Sequence, residues 1–369
     1  MRKQNQFRIL AAAPVLAICL LGLAPTLRCS AADDAAAQVE GPWAQRRYQL
    51  PRKILVGTEI TGYDSIEKYS LAQRFQRMDE FLNAMELQAK FKYPGKRLDL
   101  VLLGEYFMAN GKEVLAENAI RLDEVLPRIA ACAKLHDCYL AVPLVLREDG
   151  PVERYSNAAV LMGRDGKVAG IYRKVHPTTD LKYEVLEGGM TPGTDFPVFN
   201  CDFGKVGIQI CFDIVYPDGW DTLEKKGAEI VLLPSETPQT VRPMMYALQH
   251  RYYIVSACPR NHSAVYNPIG MIEAEATQEG VLVHQIDLSY AIAGWDPGWD
   301  EGAALKRMFG DRVGFAYYFG EDCGIYWSND PKTSIGALMR PLGYPEPADD
   351  YVKELKLEDK VRGGPPSLE

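Results

Sequence analysis

Runs of consecutive apolar residues alternate with amphipathic stretches along this chain, and the two patterns predict different elements. One stretch repeats its apolar residues at spacings of four and three, which predicts the buried face of an α-helix: Leu71, Phe75, Met78, Leu82 and Met85. Unbroken apolar runs such as residues 138–146 predict strands that are buried on both faces. Glycine-containing turns at 163–167 and 202–204 predict β-hairpins. The alternation predicts a layered α/β fold, with a mixed sheet covered on both faces.

The composition changes along the chain and predicts four segments. Residues 1–31 have a basic start, an apolar centre and small residues at the end, which is typical of a secretory signal peptide. Residues 32–47 are alanine-rich and polar, and we expect a flexible leader there. The alternating elements fill residues 48–290 and predict one α/β domain. Residues 291–369 are rich in aromatic side chains, which indicates an extension that packs on the domain or on a partner subunit.

Export is the expected fate of the chain. The apolar centre of the signal, residues 9–23, is shorter than the roughly 20 residues that a membrane-spanning helix needs. We therefore expect cleavage after Ala31 and a periplasmic or secreted protein without stable membrane insertion, in preference to a retained membrane anchor. The formal net charge of −8 argues against a nucleic-acid-binding surface.

The cysteines give no sign of a metal site. Two of the eight lie in the signal peptide, and the other six include neither a C-x-x-C pair nor a cluster with histidines. We therefore predict no metal ion. Cys132 and Cys138 are six residues apart and could form a disulfide in an exported protein, although buried thiols often serve as small hydrophobic side chains.

Three predicted strands end in side chains that can act together in acyl transfer. Glu105 follows the apolar run 98–103, Lys174 follows a third strand, and Cys211 follows the run 206–210. A thiol needs a base or a nearby cation to become a nucleophile, and Glu105 and Lys174 offer one of each. Negative charge that develops on the substrate could be held by Lys174 and by the backbone N–H of Phe212. Each residue alone has a structural explanation, and the combination is what indicates an enzyme.

At these positions the sequence resembles the carbon–nitrogen hydrolase (nitrilase) superfamily, and the order and spacing are similar to that family from about Lys53 to Asp287, which is most of the mature chain. The matching blocks are Leu-Leu-Gly-Glu105, Tyr-Arg-Lys174-Val-His, Gly-Ile-Gln-Ile-Cys211-Phe-Asp and Lys226-Gly-Ala-Glu-Ile-Val-Leu-Leu-Pro-Ser235. The resemblance implies a four-layer αββα sandwich, a homodimer or higher homo-oligomer, and neither a metal nor an organic cofactor. It also implies that Glu105 is the base, Lys174 the oxyanion stabiliser and Cys211 the nucleophile.

The resemblance implies a second glutamate before the cysteine, and two candidates are present. Glu187 precedes Gly-Gly-Met-Thr-Pro-Gly and matches the family block better than its alternative Glu184. Ser235 is expected to shape the floor of the pocket. His176 and His250 leave open a cysteine–histidine dyad, although no cysteine-protease block surrounds Cys211.

The expected activity is hydrolysis of non-peptide carbon–nitrogen bonds through a thioester, as in an amidase or carbamoylase. The expected substrate is a small amide, carbamoyl compound or nitrile, since a nitrilase would use the same residues on a C≡N carbon. The alternative from another class is a catalytically inactive family member that serves as a binding or assembly protein.

Overall fold

The computed structural model describes residues 42–62, 69–109, 118–295, 298–343 and 347–364. The expected signal peptide and most of the expected leader lie outside these ranges. The strands, in chain order, are β1 (Lys53–Ile60), β2 (Leu100–Leu102), β3 (Ile120–Arg121), β4 (Tyr139–Glu148), β5 (Arg154–Met162), β6 (Val168–Arg173), β7 (Thr179–Asp180), β8 (Val185–Leu186), β9 (Val198–Asn200), β10 (Lys205–Ile208), β11 (Ile230–Pro234), β12 (Tyr253–Ala257), β13 (Ser263–Tyr266), β14 (Ile272–Ala276), β15 (Gly280–Asp287), β16 (Tyr290–Gly294), β17 (Val313–Tyr318) and β18 (Cys323–Ser328). The α-helices are α1 (Leu71–Lys92), α2 (Leu122–Leu135), α3 (Pro217–Lys225), α4 (Val241–His250), α5 (Ala303–Phe309), α6 (Ile335–Met339) and α7 (Pro347–Arg362).

Within the described residues the strands form two large mixed sheets. The first has the order β15-β1-β2-β4-β5-β6, with β3 beside β4, and the second has the order β14-β13-β12-β11-β10-β9. Strands β1, β2 and β4 are parallel, as are β10, β11 and β12. Both predicted hairpins are confirmed, because β5 pairs antiparallel with β6 and β9 pairs antiparallel with β10.

The side chains of the central strands alternate between two separate cores. In β1, Ile54 and Val56 belong to the core between the sheets, whereas Leu55 belongs to the core under α1 and α2. In β11, Leu232 faces the core between the sheets and Leu233 faces α3 and α4. Because successive strand residues point to opposite faces, a strand covered on both sides needs an unbroken apolar run. Helices, sheet, sheet and helices thus form the four-layer αββα sandwich, as expected.

The first helix forms where the apolar spacing predicts it. Ser70 caps α1 by accepting the backbone N–H of Gln73, and the Gln73 side chain accepts the N–H of Ser70 in return. Met78, Leu82 and Met85 are buried on its inner face. The second helix, α2, begins at Leu122, directly after the two-residue strand β3.

The end of the expected leader is ordered, which differs from the flexible segment expected through residue 47. Pro42–Tyr48 forms a 3₁₀-helix, and the side chain of Arg46 is buried. Its guanidinium donates hydrogen bonds to the carbonyl oxygens of Arg251 (2.8 Å) and Ala228 (2.9 Å) and to the hydroxyl of Tyr290 (2.7 Å). A buried cation with three acceptors holds this helix in place.

The C-terminal segment adds a sheet of its own. Strands β16, β18 and β17 pair antiparallel, and Ile292 and Ile325 are buried in the core between the two large sheets. The charged, Pro/Gly-rich sequence after about residue 345 predicts a frayed end. Part of this region instead forms helix α7. None of the helices in the described part of the chain is long and apolar enough to cross a membrane.

Candidate active site

The predicted catalytic residues lie at strand ends that meet at one edge of the sandwich. Glu105 comes three residues after β2 ends, Lys174 directly follows β6, and Ser235 directly follows β11. Strand β6 runs in the direction of β2, because two antiparallel pairings separate it from β4. Since polar loops follow the carboxyl ends of parallel strands, this edge is where an α/β fold can assemble a site.

Lys174 is the centre of a buried ionic cluster. Its Nζ lies 3.1 Å from Oε1 of Glu105 and 2.9 Å from Oε2 of Glu187, and the three side chains are 2%, 1% and 8% exposed. Burial lowers the pKa of Lys174, but the carboxylates of Glu105 and Glu187 outweigh it and raise that pKa well above its usual value. The ammonium therefore stays charged at neutral pH.

Three donors hold the carboxylate of Glu105. Oε1 accepts the Lys174 ammonium and Nδ2 of Asn157 at 2.8 Å, and Oε2 accepts the backbone N–H of Glu236 at 2.7 Å. Such charge-assisted bonds are stronger than neutral ones and fix the orientation of the carboxylate. Glu105 is thereby held between the two large sheets, since Asn157 lies on β5 and Glu236 follows β11.

The structure places Glu187, and not Glu184, in this cluster. Besides Lys174, the Glu187 carboxylate accepts Asn157 Nδ2 at 2.6 Å, the backbone N–H of Thr178 at 2.9 Å, and the hydroxyl of Tyr106. Burial raises the pKa of Glu187, but the Lys174 charge and the hydrogen bonds from Tyr106 and Asn157 bring it below its ordinary value. Glu184 is exposed.

The loop that carries Glu187 is fixed against Lys174 by close backbone contact. The N–H of Gly193 donates to the carbonyl oxygen of Lys174 at 2.8 Å. A Cβ at Gly193 would come within 2.2 Å of the carbonyl oxygen of Arg173, so no side chain fits there. The glycine that ends the Glu187 block in the sequence is thus required by this close approach.

The apolar run 206–210 suggests that Cys211 ends a strand, but the structure differs at this point. Strand β10 ends at Ile208, and Cys211 opens a 3₁₀-helix that extends to Val215. Its φ of +45° lies in the left-handed region, which costs a non-glycine residue on the order of 1–3 kcal/mol. Asp213 holds this turn: its Oδ2 accepts the N–H of Ile210 and its Oδ1 the N–H of His176, both at 2.8 Å. One carboxylate therefore connects the Cys211 turn with the segment after Lys174.

The Cys211 thiol adjoins both charged partners in its predicted set. Burial raises its pKa to about 12, and the negative charge of Glu105 acts in the same direction, whereas Lys174 and a hydrogen bond with Ser235 lower it. Glu105 is also a hydrogen-bonding neighbour of the thiol. The thiol is therefore protonated at neutral pH and lies beside a carboxylate that can accept its proton.

The two residues expected to bind substrate lie next to the thiol in space or in sequence. Phe212 is the second residue of the 3₁₀-helix, so its N–H precedes the first intrahelical hydrogen bond, which Asp213 donates to Ile210. Ser235 is buried, and its hydroxyl donates to the carbonyl oxygen of Thr237 at 2.8 Å. A small cavity borders the carboxylate of Glu105. Its lining residues are Thr61, Tyr69, Arg74, Arg77, Gly104, Glu105 and Phe107.

Sequence reasoning missed two residues that organise the site. Asn157 is buried and its one amide nitrogen bridges Glu105 and Glu187, and Asp213 connects two loops. The available signal for Asn157 was a polar residue directly before the apolar run 158–162 of β5. Tyr106 donates its hydroxyl to Glu187 from a backbone with φ of +57°.

The histidines have partners other than the thiol. His176 Nε2 lies 3.0 Å from Asp218, and its ring stacks on Tyr216 with centroids 4.0 Å apart. His250 Nε2 lies 3.3 Å from Asp221. Neither arrangement supports a cysteine–histidine dyad.

The described residues contain neither a disulfide nor a metal-binding cluster. The six cysteines present there are free thiols, so Cys132 and Cys138 form no disulfide. Within the same ranges, no group of three histidine, cysteine or acidic side chains could hold a metal ion.

Known proteins resemble this chain in sequence and in fold. The profile of the family described as Carbon-nitrogen hydrolase matches residues 55–294. Omega-amidase NIT2 of Xenopus tropicalis is 26% identical over 209 residues, which cover 50% of this chain and 72% of that protein. A nitrilase of Pyrococcus abyssi is 36% identical over 146 residues, covering 36% of this chain and 54% of that protein. The crystal structure of Saccharomyces cerevisiae Nit3, a member of branch 10 of the nitrilase superfamily, has a TM-score of 0.52 at 21% identity and covers 71% of this chain and 96% of that one.

The sandwich and the site at its edge define an α/β enzyme of the nitrilase type. The profile match covers well over half of the sequence and coincides with the four layers. The chain belongs to the carbon–nitrogen hydrolase family.

Proposed function

We propose that this enzyme hydrolyses small non-peptide amides or N-carbamoyl compounds through a thioester on Cys211. The observation that carries the proposal is the buried contact set in which one carboxylate, Glu105, adjoins the Cys211 thiol and is bonded to the Lys174 ammonium at 3.1 Å. Base, nucleophile and cation are thus within reach of one substrate carbon.

In the first half of the reaction Glu105 takes the proton from Sγ of Cys211 as the sulfur attacks the acyl carbon. A C–S bond forms, and the carbonyl electron pair moves to the oxygen. Lys174 and the N–H of Phe212 hold that oxyanion. The C–N bond then breaks as Glu105 returns the proton to the departing nitrogen, which leaves as ammonia or an amine.

In the second half Glu105 acts as base again. It takes a proton from a water molecule, which attacks the thioester carbon. The acid leaves, and the sulfur regains its proton through Glu105. The raised pKa of Cys211 suits this scheme, because the thiolate then forms only while Glu105 accepts the proton and substrate is present.

Glu187 is the positioning residue of the proposal. Its carboxylate holds Lys174, Asn157 and Tyr106. Glu187 thus shares the ammonium and the Asn157 amide with Glu105, and it fixes the position of both groups relative to that carboxylate.

A nitrile is the second candidate substrate, because the Pyrococcus abyssi relative is named a nitrilase and the same residues could attack a C≡N carbon. An amide is the first choice, because the relatives that match over more of this chain are named omega-amidases. A catalytically inactive binding protein is set aside, since Glu105 adjoins the thiol and the ammonium is paired with both carboxylates.

The deciding experiment is a screen of amides, N-carbamoyl amino acids and nitriles for ammonia release. We expect Cys211→Ala to abolish release, while Cys201→Ala retains it. Cys201 is the matched control, because burial also raises its pKa to about 12 but no lysine or glutamate of the site is among its neighbours. Full activity of Cys211→Ala, or equal loss in both variants, would place the nucleophile elsewhere.

Labelling gives an independent readout. A substrate that forms the thioester should protect Cys211 from iodoacetamide, and mass spectrometry would show that protection on the peptide that contains this residue. Absence of protection by a substrate that is being turned over contradicts the covalent intermediate.

We also propose that the protein is exported and forms a homodimer. The basic and apolar N-terminal sequence supports export, and detection of a processed N terminus would test it. Exposed apolar residues spaced along α4 support a self-association face: Val241, Met245 and Leu248. Sedimentation of the wild type against Met245→Lys would test the dimer, which the lysine should dissociate.

A further inference from the structure

A second cavity lies at the edge of the sandwich opposite the candidate active site. Lys53 and Tyr253 line it, and they are the first residues of β1 and β12. The catalytic residues, by contrast, follow the last residues of strands that run in this direction. The cavity has a volume of about 310 Å³, which lies at the lower end of the range for small-molecule sites.

The outer wall of this cavity lies beyond the residues that match the family profile. Ala316, Tyr318 and Trp327, on β17 and β18, close it from one side. These residues follow residue 294, where the match to the family profile ends. The cavity therefore depends on the C-terminal sheet, and its lining includes none of the residues proposed to act in the reaction of Cys211.

The charged side chains in the wall favour a cation. Two carboxylates, Glu273 and Asp287, face one ammonium, Lys53, and Nζ of Lys53 already donates to Oδ1 of Asn329. Glu273 Oε2 lies 3.2 Å from Nε2 of His284. With a neutral imidazole, the lining side chains carry one negative charge in excess.

Asp287 provides the most specific observation. The residue is only 6% exposed. Its Oδ1 accepts the backbone N–H groups of Arg52 (3.0 Å) and Ser289 (2.9 Å), whereas its buried Oδ2 has no hydrogen-bond partner among the described residues. A buried carboxylate oxygen without a donor costs free energy, so a ligand that supplies an N–H would be favoured.

Aromatic side chains complete the cavity. Tyr253, Tyr318 and Trp327 line it, and the hydroxyl of Tyr318 is held by Nδ2 of Asn267 at 3.0 Å. Aromatic ring faces attract cations and also pack against apolar groups. The wall thus offers one acidic region and one aromatic region.

We propose that this cavity binds a small organic amine in its ammonium form. The ammonium donates to Oδ2 of Asp287 beside Glu273, and the apolar body of the ligand packs against Tyr318 and Trp327. A carboxylate ligand would meet two like charges, and a neutral apolar ligand would leave Oδ2 without a donor. Burial raises the pKa of Asp287, and the positive charges of Lys53 and Arg52 offset this rise only in part.

Calorimetric titration of the full-length wild-type chain with benzylamine at pH 7 tests the proposal, with benzyl alcohol as the neutral ligand of the same shape. We expect the amine to bind at least tenfold more tightly than the alcohol. Equal affinity for the two, or no binding of the amine at millimolar concentration, would overturn the proposal.

Variants locate the binding. Asp287→Asn keeps Oδ1 for the N–H groups of Arg52 and Ser289 and should weaken benzylamine at least tenfold. Glu273→Gln should also weaken it, whereas Glu275→Gln, on the same strand but outside the cavity, should not. Unchanged affinity in both Asp287→Asn and Glu273→Gln refutes the assignment.

A cavity-filling variant separates this site from the active site and does not depend on Asp287. Ala316→Trp places an indole in the cavity and should abolish benzylamine binding while ammonia release continues. Binding that persists in Ala316→Trp with an unchanged dissociation constant would show that the amine binds elsewhere, and would refute the proposal even if Asp287→Asn failed to fold.

Discussion

Replacing Lys174 by methionine should lower the free energy of unfolding, because it leaves two buried carboxylates without their cation. The substitution keeps the length and apolar stem of the side chain but removes the charge between Glu105 and Glu187. At 3.1 and 2.9 Å, each pair is worth about 5 kcal/mol of Coulomb energy at an effective dielectric constant of about 20. The side chains are almost fully buried, so solvent screens these attractions little.

Proton uptake limits the loss. Once the ammonium is gone, one carboxylate can bind a proton, and for a glutamate with an ordinary pKa of about 4.3 this costs about 1.4 kcal/mol per pH unit above that value. This protonation cost sets an upper limit on the loss of unfolding free energy, which is about 4 kcal/mol at pH 7 and about 1 kcal/mol at pH 5. We therefore expect Lys174→Met to lower the free energy of unfolding by about 4 kcal/mol at pH 7, in the range for breaking a buried ion pair.

The contribution of these carboxyl groups to the free energy of unfolding changes with pH in opposite directions in the wild type and in Lys174→Met. In the wild type the folded pKa of Glu187 is depressed, so its stabilising contribution is present above the unfolded pKa and is lost as the pH falls through the folded value. In Lys174→Met one carboxyl should have a raised folded pKa, so the variant loses stability as the pH rises from about 5 to 7. The difference between the two proteins should shrink on acidification.

Urea unfolding followed by tryptophan fluorescence at pH 5 and pH 7 measures this difference. Lys167→Met is the matched control, because Lys167 is 85% exposed and its pair with Asp165 should contribute little. A loss below about 1 kcal/mol in Lys174→Met at pH 7, or an equal loss at both pH values, would show that the buried charges do not interact as argued. In the same variant kcat/KM should fall about 10²–10³-fold, as for loss of an oxyanion donor.

Three further predictions concern the neighbours of this lysine. Glu187→Gln should lower kcat/KM at least a hundredfold while Glu184→Gln stays within twofold of the wild type, since only the first contacts Lys174; similar rates for the two variants would remove Glu187 from the site. Asn157→Leu should lose two hydrogen bonds to charged acceptors, which amounts to about 3 kcal/mol of unfolding free energy, and should lower kcat more than it raises KM. An unchanged kcat would contradict the positioning role. Cys211→Gly should be more stable than Cys211→Ala by about 1 kcal/mol, because glycine adopts a φ of +45° without strain. Thermal unfolding of the two inactive variants measures this difference in stability. A glycine variant that is less stable than the alanine variant would rule out backbone strain at this position.

Local patterns in the sequence were sufficient to predict the main helices and strands and the α/β class, whereas the four-layer arrangement was expected only from the family resemblance. The apolar spacing from Leu71 to Met85 predicted the face that α1 buries, and unbroken apolar runs predicted strands covered on both sides. These signals are local, because a helix or strand must bury its apolar face whatever the rest of the chain does. The same reasoning could not detect the order at Arg46, whose acceptors lie about 180 to 245 residues away.

The sequence also predicted the candidate catalytic residues, because Glu105, Lys174 and Cys211 each follow an apolar run that marks a strand. Strand direction then brings such residues to one edge of the sandwich. What the sequence by itself left undecided was geometry: the choice between Glu187 and Glu184, the turn that gives Cys211 a positive φ, and the role of Asn157.

Only the tertiary structure decided those points, because each depends on contacts between residues that are far apart in the chain. Asn157 bonds to a carboxylate 52 positions earlier and to another 30 positions later. The cavity beside Asp287 likewise arises where the C-terminal sheet meets strands that begin more than 200 residues earlier. The order of residues determines which faces must be buried, whereas the packing of those faces against one another determines which polar groups meet.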